Sequence, residues 1–197
     1  MPRIEPLERK DLMQYSDMFN ELEAFFGFLP NDYLTMARKP GLLEAVAQLT
    51  NVCMEDNGKL PMQMRLLVTY SASRAAGCNY CIAHNATLSD RVGLSIDKVR
   101  NIHSYETHDI FSAEEKVLLR VSAHANSIPN AVTDEDFVEL RKYFDDDAIV
   151  EVFSLVGMMS FYNRWNDSLA TSLELPAKNF AQENITESGW EVGNHGE

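Results

Sequence analysis

Cysteine is scarce in this chain. Of 197 residues three are cysteines, and two of these, Cys78 and Cys81, share one short stretch with a histidine, AAGCNYCIAHNATL from Ala75 to Leu88. An odd count so distributed does not fit a secreted disulfide framework and fits a reactive pair in a reducing compartment. Size does not demand cross-links either, because a chain of this length with 45% hydrophobic residues can bury a core of its own. Basic residues are also few, 17 against 30 acidic ones, for a net charge of -13. With no stretch that concentrates lysine and arginine, this balance repels phosphate backbones and anionic membranes and argues against nucleic acid as a partner. Long uncharged apolar runs are missing, which argues against a membrane span. The opening MPRIEPLERKDLMQY mixes acids and bases where a secretory signal would be apolar. A soluble, intracellular, cytoplasmic protein is therefore expected.

Alternating, β-branched strand sequence is missing too, whereas apolar residues recur at helical spacing almost throughout, so the expected fold class is all-α. Met18, Leu22, Phe25, Phe26 and Leu29 form one helical face ended by Pro30; Leu42, Val46, Leu49 and Cys53 form a second, stopped by Asn57-Gly58. The stretch Met62 to Ala76 is apolar nearly all round, as a central buried helix should be, and Gly77 interrupts it. A helix carrying the cysteine pair then runs from about Asn79 to Arg91, with a short one around Ile96 to His103. Ser112 to Glu115 has the form of a capping box, and the helix it opens should end near Asn126, before Pro129. Thr133 to Asp136 reads as another cap, leading into Phe137, Leu140 and Phe144. The acidic run Asp145, Asp146 and Asp147 suits the positive end of a last long helix, expected to reach Leu173. Beyond Pro176 no periodicity is visible, which suggests a tail on the surface, pinned by Trp190. Residues 1–175 are accordingly expected to form the helical domain and 176–197 a C-terminal extension.

Three and four positions apart on a helix is one face, so Cys78, Cys81, His84, Asn85 and Leu88 fall along one stripe. Free backbone amides at the helix start should stabilise a thiolate there, and a histidine one turn on can shuttle its proton. Three readings fit this cluster. One is a dithiol–disulfide redox centre. Another is a zinc site made of Cys78, Cys81, His84 and a distant His103, His108 or His124, although no second closely spaced pair exists. The third is plain core packing, of which the lone Cys53 on an apolar helix face is the example. Haem attachment is excluded, since Ile82 and not histidine comes after the second cysteine.

Most of the chain resembles the AhpD-like alkylhydroperoxidase and carboxymuconolactone decarboxylase family. The stretches that carry the likeness are LPMQMRLLVTYSASRAAGCNYCIAHNATL, FSAEEKVLLRVSAHANSIPNAVTDEDFVELRKYF and IVEVFSLVGMMSFYNRWNDSLATSLE with SGWEVG. A nearly all-apolar helix running into CxYC is similar to the peroxidase branch, because the decarboxylases generally lack the cysteine pair. The resemblance implies an AhpD-like multi-helix bundle that assembles as a homo-oligomer, a trimer or a hexamer. It implies thiol-peroxidase chemistry with no bound cofactor and no metal. Cys81 would attack the peroxide substrate to give a sulfenic acid, and Cys78, nearer the helix start and more accessible, would resolve it to a disulfide. An external dithiol reductant, lipoyl-type or thioredoxin-like, would then reset the pair.

Two positions depart from the family pattern. The family's histidine falls on Asn85, leaving His84 one step early, and its relay glutamate falls on Leu66 with no acid nearby in the sequence. His84 remains the candidate third catalytic residue. His124 is expected to be structural, and Asn163, Arg164 and Asp167 to make a subunit contact or a helix cap. The leading expectation is thus an enzyme, a peroxidase or disulfide oxidoreductase acting on hydrogen peroxide or small organic hydroperoxides. A redox-responsive interaction protein with little turnover and a carboxymuconolactone decarboxylase-like enzyme are the alternatives.

Overall fold

A computed structural model describes residues 1–55 and 57–196. Among them the chain forms ten α-helices, joined by short turns and 3₁₀ segments. They are α1 (Ser16–Phe26), α2 (Asn31–Met36), α3 (Leu42–Met54), α4 (Met62–Ala76), α5 (Asn79–Arg91), α6 (Ile96–Asn101), α7 (Ala113–Asn126), α8 (Asp134–Leu140), α9 (Asp146–Leu169) and α10 (Leu175–Asn184). The all-α expectation holds. No helix among the described residues is long and apolar enough to cross a membrane.

The centre is α4, packed against α7, α9 and α5. An unbroken run from Arg65 to Ser73 is buried, so the middle of this helix has no solvent face. Each fully buried leucine there, such as Leu66 and Leu67, stabilises the fold by roughly 1.5–3 kcal/mol. Arg65 is tolerated at this depth because every arm of its guanidinium is used. Its Nε donates to the Leu60 carbonyl, one Nη to the Cys53 carbonyl and the other to Glu151 at 2.9 Å. Gly77, at φ 72°, ends α4 in the left-handed conformation that a side chain disfavours, and α5 starts two residues later.

Both capping boxes are present, Ser112 with Glu115 and Thr133 with Asp136, and Asp145 caps α9 by accepting from the Ala148 amide. Elsewhere the sequence pattern misleads. Helix α1 stops at Gly27, not at Pro30, and the residues after Pro30 form α2, a six-residue helix too short to show periodicity. Helix α9 ends at Leu169, where Ala170 takes a left-handed turn, not near Leu173. The segment expected to be an aperiodic tail contains α10, which starts with proline in its first turn and lies on α5. Trp190 does pin the C-terminal residues beyond α10, donating from Nε1 to the Asn79 carbonyl.

Candidate active site around Cys81

Cys81 lies on α5 at the wall of a cavity bounded by α1, α2, α3, α4, α5 and α9, with about 550 Å³ of empty space including its opening. Apolar and aromatic side chains make most of the lining, among them Phe25, Phe26, Met54, Leu88, Met158 and Met159. Polar side chains also line it, among them Asp32, Tyr80, His84, Asn85 and Asn166.

Cys78 is the N-cap residue of α5, and its Sγ accepts from the Cys81 amide at 3.4 Å. Both thiols are free and buried. The expectation that Cys78 is the more accessible is overturned: it is 0% exposed and does not line the cavity, whereas Cys81, at 3%, does. The expected activation of the thiol by the helix start is also overturned for Cys81, whose pKa is pushed well above the ordinary value. Burial is the main cause, followed by the hydrogen bond and charge of Cys78 and the charge of Asp32, with only the Asn166 amide pulling the other way. The helix amide that could have stabilised a Cys81 thiolate is spent on the Cys78 sulfur.

His84 does not hydrogen-bond to the sulfur. Its Nε2 meets Glu174 Oε2 at 2.6 Å, and its ring stacks on Tyr80 at 4.2 Å and meets the Phe28 ring edge-on. Glu174 also accepts from the Tyr80 hydroxyl at 2.9 Å and from the Asn31 amide at 2.5 Å, so it ties α5 to the start of α2. Asn85 donates to the Cys81 carbonyl and to Ser73 Oγ. The side-chain amide facing the sulfur is that of Asn166, whose Nδ2 is 3.7 Å from Cys81 Sγ and 3.0 Å from Asp32 Oδ2. Asp32 is 3% exposed, and burial raises its pKa to about 6 against the partial opposition of the His84 charge and the Asn166 hydrogen bond.

Sequence reasoning expected no acid in place of the one displaced by Leu66. The fold supplies two, Asp32 from α2 and Glu174 from the turn before α10, while Leu66 lines the cavity. Neither acid sits in a periodic segment, so pattern gave no hint of them. A weak signal exists for Asn166, an amide three residues after Asn163 and so on the same face of the helix. The zinc alternative finds no partner at the cluster. His124 pairs with Asp136, His103 with the Arg100 carbonyl, and His108 accepts from the Ile110 amide, and none of the three lines the cavity. Among the described residues no group of three or more histidine, cysteine or acidic side chains is arranged to hold a metal ion. Asn163 is buried beside Ala75 and Ala76, away from the cysteines' cavity.

In its helical fold the chain is similar to proteins of known structure, an AhpD core among them, and part of it is similar to the carboxymuconolactone decarboxylase family. The profile of the Carboxymuconolactone decarboxylase family matches residues 40–124, from α3 to α7. Among solved structures, the debrominase Bmp8 is 28% identical with a TM-score of 0.85, covering 91% of this chain and 96% of Bmp8. A cysteine-to-alanine variant of Bmp8 in complex with 2,3,4-tribromopyrrole superposes equally well, with a TM-score of 0.86. An uncharacterized peroxidase-related protein with an alkylhydroperoxidase AhpD core, from Ralstonia eutropha JMP134, shares the fold at 22% identity and a TM-score of 0.76, covering 91% of this chain and 95% of its own. Uncharacterized protein YdfG of Bacillus subtilis (strain 168) is 27% identical over 101 residues, 51% of this chain and 69% of YdfG.

Proposed function

We propose that the protein is a two-cysteine oxidoreductase that reduces small, apolar organic hydroperoxides, with Cys81 as the attacking thiol, Cys78 as its resolving partner and His84 as part of the surrounding proton network. One observation carries this reading: the sulfur that faces the aromatic cavity belongs to Cys81, and the sulfur of Cys78 caps the same helix turn behind it. In the first step Cys81 takes the terminal oxygen of the hydroperoxide, the O–O bond breaks, and an alcohol leaves with the thiol proton. Cys78 then displaces water from the Cys81 sulfenic acid, and the pair becomes a disulfide. An external dithiol of lipoyl or thioredoxin type returns both to thiols. A homo-oligomeric assembly, which rests on the family resemblance, and a cytoplasmic setting, which rests on composition and cysteine usage, belong to the same reading.

A second substrate class is favoured by the likeness to Bmp8 together with the flat, aromatic character of the cavity walls. In reductive dehalogenation Cys81 would take the halogen of a brominated pyrrole as an electrophile. The ring carbon gains a proton, and Cys78 displaces bromide to give the same disulfide, so that two thiols again supply two electrons.

The test measures product formation from cumene hydroperoxide and, separately, from a brominated pyrrole, each with a dithiol reductant. Turnover of the hydroperoxide that Cys81→Ser abolishes and Cys53→Ser leaves intact supports the leading reading. Turnover of the pyrrole alone moves the assignment to the second. Slow, stoichiometric oxidation of the thiols by either compound, with a change of oligomeric state and no turnover, would make the protein a redox switch.

A further inference from the structure

The cavity poses a problem that the two cysteines do not solve. Attack on an O–O bond needs a sulfur that gives up its proton, yet burial holds the Cys81 proton more tightly than usual. A base must therefore face the same cavity with spare acceptor capacity. His84 is turned by its Nε2 contact to Glu174 at 2.6 Å and makes no hydrogen bond to the sulfur, and the other Glu174 oxygen accepts from Tyr80 and Asn31. Tyr33 and Tyr162 are engaged in a hydroxyl chain with Thr50, and burial raises both of their pKa values, so neither accepts a proton from a thiol. Asp32 is left. It lines the cavity; its Oδ1 accepts from the Tyr33 amide, while Oδ2 is held only by Asn166, the amide that also faces Cys81 Sγ.

We infer that Asp32 is the general base of the reaction proposed above, taking the Cys81 proton as the sulfur bonds to the substrate and returning it to the leaving group. This inference rests on that reaction. As the sulfur attacks, the S–H proton moves to Asp32 Oδ2 across one intervening water, and Asn166 Nδ2 donates to the sulfur as negative charge builds there. Cleavage of the O–O bond leaves an alkoxide. The carboxyl of Asp32 protonates it, releasing the alcohol and restoring the carboxylate, so no proton need enter from solvent. The groups that face Asp32 and set its titration are Tyr80, Cys81 and His84 from α5, Glu174 from the turn before α10, Tyr162 and Asn166 from α9 and its own neighbour Tyr33. A carboxylate raised to about 6 by burial is matched to this exchange near neutral pH.

The test is a single-turnover measurement of Cys81 oxidation by cumene hydroperoxide between pH 4.5 and 8.5. For the wild-type protein, the expected rate constant rises along a limb centred near pH 6 and then levels off. Asp32→Asn should lower the plateau at least 100-fold, within the roughly 10²- to 10⁴-fold span of general base catalysis. It should also abolish the limb, leaving a rate that climbs with pH as the thiol itself ionises. Asp32→Glu should keep the limb and recover part of the rate, which loss of packing alone would not produce. An Asp32→Asn protein within threefold of wild type, or one retaining the same limb, overturns the inference. So does a wild-type rate that climbs tenfold per pH unit without levelling, a result that needs no variant to fold. Failure here is distinct from failure of the proposed function. In the first case the wild-type thiols are still consumed and Cys81→Ser is still inert, and in the second no thiol is consumed at all.

Discussion

Two aspartates are almost equally shielded from solvent, Asp32 at 3% and Asp136 at 5% exposure, yet Asp32 lies deep in the bundle and Asp136 close beneath the surface, and their pKa values move in opposite directions. Asp136 closes a capping box. Burial pulls its pKa upward, but hydrogen bonds from His124 and from the amide and hydroxyl of Thr133 outweigh it, and the pKa is lowered. Arg120 adds an ion pair at 3.5 Å. Asp32 has an amide on each oxygen and no salt-bridge partner among the described residues, so burial wins and its pKa rises to about 6. Deeper burial and fewer donors both separate Asp32 from Asp136. His84 and His124 repeat the contrast, since each pairs with an acid but only His84 faces the cavity.

Asp32 and Asp136 should also differ in how they bear on stability. A carboxyl whose folded pKa lies above its unfolded value of 3.8 favours folding fully below 3.8 and loses that contribution as pH rises through about 6. Ionised Asp32 therefore costs the folded protein on the order of 3 kcal/mol at pH 8, taking 1.36 kcal/mol per pKa unit. Asp32→Asn should remove that cost. In urea unfolding at pH 8 the variant is expected to be more stable than wild type by up to this amount, with the gain vanishing by pH 4. A variant destabilised equally at both pH values would show that Asp32 contributes through packing and hydrogen bonds alone, with no cost of ionisation to remove.

The smaller effect is the converse one. Asp136→Asn exchanges a charge-assisted cap for a neutral one and should lower stability at pH 7 by about 1–2 kcal/mol. Because the Asp136 pKa is lowered, its contribution is present above the unfolded value and is lost as pH falls through the folded one, so the deficit should shrink in acid. Its rate with hydroperoxide should match wild type. An equal deficit at all pH values would remove the ionic part of the explanation.

The same physics sets how much of the molecule is legible in its sequence. Helices α4, α5 and α7 to α9 announce themselves through apolar spacing and through caps such as Ser112 and Thr133, which are local features. The CxxC pair is local as well. Asp32 sits in a six-residue helix and Glu174 in a turn, and both reach Cys81 and His84 only through tertiary packing, so no spacing rule could assign them. The thiol's raised pKa was hidden for a related reason: a helix start favours a thiolate only when its amides point at that sulfur, and here Cys78 takes the bond. The C-terminal segment was hardest to read, because α10 is held by its contact with α5 more than by its own weak pattern.

The most direct measurement is the mass of the cysteine-containing peptides after one equivalent of cumene hydroperoxide, digested under conditions that block thiol exchange. The account expects a single cross-link between Cys78 and Cys81, the loss of two hydrogens from that peptide, and an unmodified Cys53. Oxidation confined to Cys53, or a peptide in which Cys78 and Cys81 both remain thiols while the peroxide is consumed, would contradict it.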